Sequence, residues 1–159
     1  MKINEVITEK DAFYKDGVYI SVGIDKESTE KIHEYMDKHL KELDCNKDEI
    51  HTTLIYSEKP YDKEIKSKEY TAKGTPTGFE LFGKDKDSLV LLIDSPELEE
   101  RNEELIKQHG FVSDFAEYRP HITFSYSAEG FDISKLPEVD FDITFENETV
   151  DQLDTDWES

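Results

Sequence analysis

The chain has 159 residues, enough for one domain with its own core, and nine Phe, eight Tyr and one Trp supply bulky filling within a hydrophobic fraction of only 35%. A net charge of −20 argues against long nucleic acids and anionic membranes as partners, because both are held by Lys and Arg, although a short nucleotide in a local pocket is compatible with screening beyond ~8 Å. Cys45 is the one cysteine, so no intrachain disulfide forms, and with no apolar run suited to a signal peptide or bilayer span the expectation is a single domain over residues 1–159 in a reducing cytoplasm.

Gly17–Ile24 (GVYISVGI) is rich in β-branched and aromatic residues and predicts a strand. Ser28–Leu43 predicts a helix, because Ile32, Tyr35, Met36, His39, Leu40 and Leu43 recur at helical period, with Asp25 or Ser28 as cap. Ile50–Ser57 predicts a second strand. Residues 58–77 are polar, carry Pro60, Gly74 and Pro76, and predict a long connection with room for one short strand.

Gly78–Gly83 (GFELFG) and Ser88–Ile93 (SLVLLI) predict two more strands, the latter an unbroken apolar run suited to burial on both faces. A helix follows: Ser95 caps it, Pro96 sits in its first turn, Glu97, Glu99 and Glu100 favour its positive end, and Gly110 stops it. Pro120–Ser127 predicts a strand, and Val139–Glu146 alternates Val139, Phe141, Ile143 and Phe145 with polar residues as a half-buried strand does. The acidic end of the chain carries the lone Trp157. Strand, helix and strand thus occur twice in the same order. Either half alone leaves a helix face and a sheet face uncovered, so the expected fold is α+β: two pseudo-twofold lobes of mixed or antiparallel sheet, with two main helices flanking a central cleft.

The second strand of each half repeats one phrase. His51–Ser57 reads HTTLIYS and His121–Ser127 reads HITFSYS, with His, Thr, Tyr and Ser in register. On a regular strand His51, Thr53, Ile55 and Ser57 share one face, opposite Thr52, Leu54 and Tyr56. His121, Thr123, Ser125 and Ser127 likewise oppose Ile122, Phe124 and Tyr126. The apolar face suits the core, and the polar face suits a cleft. Imidazole titrates near ~6.5 and serves as acid or base at neutral pH. Two histidines flanking one phosphodiester can take a proton from an attacking hydroxyl and give one to the leaving oxygen. The threonine hydroxyls can donate to the nonbridging oxygens, where charge develops. No metal or cofactor is needed, and no His-x-x-x-His spacing suggests one.

These residues resemble the signature of the two-histidine (2H) phosphoesterase superfamily, whose members carry paired His-x-Thr/Ser motifs on pseudo-symmetric lobes; the matching positions are His51, Thr53, His121 and Thr123. The phrases EIHTTLIYS and YRPHITFSYS look more closely like the phage anti-CBASS nucleases. The resemblance, over roughly residues 17–146, implies metal-independent cleavage of cyclic di- and trinucleotide immune signals such as cyclic GMP-AMP, with a ribose 2′-hydroxyl as nucleophile and the host cytoplasm as the place of action. It does not say which histidine is base and which is acid.

Candidate pocket residues are Tyr19 and Trp157, for stacking on bases at ~1–3 kcal/mol each, Ser57 and Ser127 beside the motifs, and Asp151 or Glu148 as acceptors from a guanine edge. Core packing is the bland alternative for Tyr19. The tail 148–159 could serve as a lid, dock on the domain surface or contact a second subunit of a homo-oligomer. Arg119 can order its loop through a carboxylate or touch a phosphate. His33, His39 and His109 read as packing or helix-end residues, and Cys45 has no partner motif for nucleophilic chemistry. Alternative functions are an RNA-end or 2′–5′ phosphodiesterase of the same superfamily, disfavoured for long RNA by the charge, and a non-catalytic acidic nucleotide sponge.

Overall fold

The computed structural model describes residues 13–111 and 118–153. Val18, Ile20 and Val22 are fully buried and Tyr19 and Ser21 between them are half-buried, the alternation of a strand with one face on the core. This strand, β1 (Val18–Ile24), is followed by α1 (Lys26–His39), β2 (His51–Ser57), β3 (Ala72–Phe82), β4 (Ser88–Asp94), α2 (Pro96–His109), β5 (His121–Ser125), a 3-10 turn (Ile133–Lys135) and β6 (Ile143–Gln152). Every strand pairing is antiparallel, in the order β2-β1-β6-β3-β4-β5. Among the described residues no helix is long and apolar enough to cross a membrane.

The repeat is visible in the pairing. β1 lies between β2 and β6, and β4 lies between β5 and β3. In each trio the central strand leads into a helix, and the helix leads into the His–Thr strand on the outer edge. The helices are exchanged. On α1, Tyr35 stacks on Phe79 of β3 at 5.7 Å between ring centroids and meets Phe124 of β5 edge-on at 6.4 Å. On α2, Asn102 donates to the Leu54 carbonyl of β2 at 2.8 Å, and Arg101 pairs with Glu148 of β6. Each half therefore buries the sheet of the other, which makes the two lobes one cooperative unit.

β3 joins the trios and departs from the sequence expectation. The strand starts at Ala72, within the segment expected to be a connection, and runs through Pro76 to Phe82. Ala72–Gly74 pair with β6, Thr75–Phe82 with β4, and the register shifts between Pro76 and Gly78. Proline lacks an amide hydrogen and is tolerated at such a shift. Gly74 sits where β3 passes from β6 to β4: a Cβ there would lie 2.3 Å from Ile93 Cγ2 and 2.9 Å from the Phe145 ring.

Two other boundaries move. α1 begins at Lys26, with the Asp25 carboxylate accepting from the Ser28 amide at 2.8 Å, and ends at His39 rather than Leu43. The chain leaves the helix early because residues 44–46 lie along β5, where the Asn46 amide donates to the Phe124 carbonyl at 2.7 Å and Ser125 Oγ donates to the Asp44 carbonyl at 2.8 Å. The last strand covers Ile143–Gln152 instead of Val139–Glu146. Val139 is buried outside any strand, and the polar run after Glu146 becomes strand because β1 needs a second neighbour, with Val18 opposite Gln152. Residues 148–152 are thus part of the sheet and not of a lid.

Glu148 is not available to a ligand. Its side chain is 0% exposed, and its carboxylate accepts from Arg101 Nε at 2.7 Å and Nη2 at 2.8 Å, the Lys68 amide at 2.8 Å and the Tyr70 hydroxyl at 2.9 Å. Burial pushes the carboxyl up, but Arg101, the Lys68 amide and Tyr70 outweigh it and hold it below the ordinary glutamate value. The stabilisation from this group is complete above that ordinary value and is lost as pH falls through the lower folded one. Arg101→Ala, which strands a buried charge, is expected to cost ~3–5 kcal/mol in urea denaturation at pH 7. The stability gap between wild type and Glu148→Gln is expected to close as the pH is lowered below the ordinary carboxylate range, and a gap that widened on acidification would refute the assignment.

Candidate active site

β2 and β5 carry the same irregularity. Thr53 faces Ser21 and Ile55 faces Ile20, which leaves Leu54 as the extra residue of a bulge. Thr123 faces Val90 and Ser125 faces Leu89, which leaves Phe124 as the extra residue at the equivalent place. Both bulged residues are 1% exposed, and both carbonyls are satisfied, Leu54 by the Asn102 side chain and Phe124 by the Asn46 amide. A bulge reverses the alternation of side chains beyond it. The faces expected of regular strands are therefore correct only as far as Thr53 and Thr123. Past the bulge Ile55 (5% exposed), Ser57 (7%) and Ser125 (0%) turn to the core, while Tyr56 (38%) and Tyr126 (52%) turn outward. Ser57 thus lies off the cleft face. Ser127 is exposed just beyond β5.

The two histidines are set by one device. The Nδ1–H of His51 donates to the Glu49 carbonyl at 2.6 Å, and that of His121 donates to the Arg119 carbonyl at 2.9 Å. In each case the acceptor is two residues upstream, so Nδ1 carries the proton and the neutral ring keeps a lone pair on Nε2. The surroundings of the two rings then differ. Nε2 of His51 meets the Tyr19 hydroxyl at 2.8 Å, and that hydroxyl meets Thr53 Oγ1 at 2.9 Å. With His51 neutral, Tyr19 donates to Nε2 and accepts from Thr53. His121 instead packs against the Phe82 ring at 4.9 Å. Burial is the main cause that lowers the His121 pKa, with the Arg119 and His51 charges acting the same way and the bond to the Arg119 carbonyl opposing. Burial also raises the Tyr19 hydroxyl, against the bond from Thr53, so it remains protonated at neutral pH.

The motifs sit at opposite ends of the sheet order, yet they are bonded to each other. Thr52 Oγ1 donates to the His121 carbonyl at 3.1 Å. In return the Tyr118 hydroxyl, three residues before His121, donates to the Thr53 carbonyl at 2.6 Å. The cleft face of the first trio then reads in rows across β2, β1 and β6: Tyr56, Tyr19 and Asp151; Thr53, Ser21 and Thr149; His51, Gly23 and Glu146. Tyr19 and exposed Asp151 stand opposite one another on β1 and β6, and Tyr19 bonds His51 and Thr53. Thr123 is half-buried two residues from His121. Nothing in the sequence pointed to Phe82 packing on His121, to the bond from Tyr118 to Thr53, or to the outward turn of Tyr56 and Tyr126. Trp157 lies outside the described residues.

The remaining candidates are elsewhere. Arg119 pairs with Glu80 at 3.2 Å and covers the Phe82 ring at 5.5 Å, so it orders the wall behind His121. His33 bonds the Lys47 carbonyl, His39 packs on Tyr35, and His109 bonds the Tyr61 hydroxyl. Burial raises the Cys45 thiol, which leaves it inert. Among the described residues no three His, Cys, Asp or Glu side chains group as metal ligands.

The exchanged helices, the antiparallel sheet and the facing His–Thr strands define the two-histidine phosphoesterase fold. Crystal structures of E. coli LigT share it: the phosphate complex has a TM-score of 0.58 and 17% identity over 85% of both chains, and the 3′-AMP complex has a TM-score of 0.55 and 15% identity over 85% of this chain and 86% of that one. Residues 16–159 match the family model described as anti-CBASS protein Acb1, and the chain belongs to that family. An Acb1 protein of Vibrio phage KVP40 is 24% identical over 141 residues, covering 89% of this chain and 90% of that protein. One of Acinetobacter phage Ac42 is 32% identical over 114 residues, covering 70% and 73%. One of Sphingomonas paeninsulae is 32% identical over 120 residues, and there the chain spans only 19% of the relative's length.

His121 is expected to titrate below the ordinary ~6.5 in an NMR pH titration. Phe82→Ala, which admits water to the ring, is expected to move that titration upward toward the ordinary value. An unchanged midpoint would show that Phe82 does not create the dry environment.

Proposed function

We propose that the protein is a metal-independent phosphodiesterase that opens cyclic di- and trinucleotide immune signals in the host cytoplasm and so counters CBASS defence. The observation that carries this reading is the pair of histidines, each with Nδ1–H fixed on a backbone carbonyl, on two strands cross-bonded to one another. Membership of the anti-CBASS family supports the substrate class.

The unequal surroundings suggest the division of labour. His121, whose burial beside the Phe82 ring favours the neutral form, is the base. Its Nε2 takes the proton of a ribose 2′-hydroxyl, and the oxygen attacks the adjacent 3′-phosphorus. The bond from phosphorus to the 5′-oxygen breaks as protonated His51 gives its Nε2 proton to that oxygen. The product is a ring-opened nucleotide ending in a 2′,3′-cyclic phosphate. Water attack with the roles reversed yields a 3′-phosphate and restores both imidazoles. Thr53 and Thr123 donate to the nonbridging oxygens, and the Tyr19 hydroxyl gives up both Thr53 and Nε2 of His51 to the substrate. The charge of −20 disfavours the runner-up, a phosphodiesterase acting on long RNA.

The test is incubation with a panel of cyclic dinucleotides, cyclic trinucleotides and 2′–5′ oligoadenylates in the presence of chelator, with products identified by mass. Cleavage of cyclic substrates undiminished by chelator is expected. Release of intact nucleotide on heating would identify a sponge instead. His51→Ala and His121→Ala are each expected to lower kcat by ~10²–10⁴-fold with thermal melting unchanged. A substrate with deoxyribose at the attacking sugar is expected to resist, and its rapid cleavage would make water the nucleophile.

A further inference from the structure

The proton-transfer scheme needs both histidines on one phosphate, yet they stand on strands of different trios that share no ladder. Their separation is therefore set by contacts other than sheet pairing. The exchanged helices hold the lobes together at long range, through Tyr35 on Phe79, Asn102 on Leu54 and Arg101 on Glu148. Among the described residues two hydrogen bonds act directly between the motifs, and each lands on the peptide carbonyl of a residue assigned to the chemistry. Thr52 Oγ1 donates to the His121 carbonyl at 3.1 Å, and the Tyr118 hydroxyl donates to the Thr53 carbonyl at 2.6 Å. Neither donor is itself one of the paired His and Thr residues: Thr52 lies between His51 and Thr53, and Tyr118 precedes His121 by three residues.

The stretch that Tyr118 begins is fastened residue by residue. Arg119 pairs with Glu80, its carbonyl takes the Nδ1–H of His121, and the Pro120 carbonyl accepts from the Ile93 amide at 3.0 Å. Tyr118 is thus a fixed point on the second lobe. Its hydroxyl reaches the first lobe at Thr53, whose side chain bonds Tyr19 and which is the last residue before the Leu54 bulge. A bulge interrupts the ladder locally, so β1 alone supports this part of β2 less firmly than a regular strand. Burial pushes the Tyr118 hydroxyl far above the ordinary tyrosine range, so it remains a donor at neutral pH and well beyond. Resting on the proposed activity, we infer that Tyr118 is a positioning residue: together with Thr52 it sets the spacing of His51 and Thr53 against His121 and Thr123, so that both motifs meet on one phosphorus atom. It acts through the Thr53 backbone and not on the substrate. Acid–base groups must come within ~2.6–3.2 Å of the atoms they serve, and a displacement of ~1 Å can cost ~10²-fold in rate.

The experiment measures single-turnover cleavage of cyclic dinucleotides, with enzyme in excess, for Tyr118→Phe and Thr52→Val. Each removes one hydroxyl and keeps the shape of the side chain, and each is made alone and combined with His51→Ala. Alone, each is expected to lower the rate at saturation by ~10–100-fold, with the half-saturating concentration within ~3-fold of wild type. The melting temperature is expected to fall by only ~2–4 °C, as for one hydrogen bond in a domain of this size. Once His51 is gone there is no pair left to space, so the same substitutions are expected to cost clearly less, a non-additivity that a merely structural role does not produce. Wild-type rates in both variants would overturn the inference and leave the phosphodiesterase reading intact. An equal fold-loss with and without His51, a loss confined to binding, or collapse of the melting transition in both variants would also overturn it. A wild-type protein that cuts no cyclic nucleotide refutes the activity and the inference together.

Discussion

Two hydrogen bonds hold the functional arrangement together: Thr52 Oγ1 to the carbonyl of His121, and the Tyr118 hydroxyl to the carbonyl of Thr53. Each starts in one motif region and ends in the other. They are needed because β2 and β5 are the two ends of the sheet order and share no ladder. Thr52 is 1% exposed, so its bond forms out of competition with water. The helices act in the same sense at longer range. Because α1 packs on the second trio and α2 on the first, neither lobe can drift without uncovering the core of the other. The buried Arg101–Glu148 pair fixes α2 to β6 with a bidentate geometry that permits little sliding.

Within that symmetric frame the surroundings of the two histidines are asymmetric. Matching Nδ1 contacts give both imidazoles the same tautomer, while their neighbours differ. A hydroxyl bonded in turn to a threonine stands at Nε2 of His51, and an aromatic ring backed by Arg119 stands against His121. Pairs of titratable groups in contrasting surroundings are how one site runs acid and base chemistry together. Duplication supplies two like motifs, and the residues beside them differ: a tyrosine hydroxyl at His51 and the Phe82 ring at His121.

Much of this was legible in the sequence because it depends on local rules. Ser95, Pro96 and Gly110 mark α2 by capping chemistry, and the structure places the helix at Pro96–His109 with Gly110 in the left-handed region at φ 70°. The paired His-x-Thr phrases marked the two strands that the Thr52 and Tyr118 bonds tie together. What was hidden depends on partners far away in the chain. Strand formation at Ala72–Gly74 and Glu148–Gln152 is imposed by β6 and β1 on polar sequence with little intrinsic preference. The burial of Glu148 required knowing that Arg101 would reach it. The bulges are the sharpest case: Leu54 and Phe124 look like ordinary core positions, and nothing in their identity reveals that the alternation reverses after them. That reversal removed Ser57 from the cleft and brought Tyr56 into it.

The central claim is that both motifs act on one phosphorus atom. A crystal structure with a bound cyclic dinucleotide made unreactive by deoxyribose at the attacking sugar tests it directly. The account predicts a single scissile phosphate flanked by His51 and His121, with Nε2 of each ring ~2.6–3.2 Å from an oxygen of the reacting group and the hydroxyls of Thr53 and Thr123 on the nonbridging oxygens. A phosphate held by one motif alone, with the other histidine turned to solvent or to a second site, would contradict it.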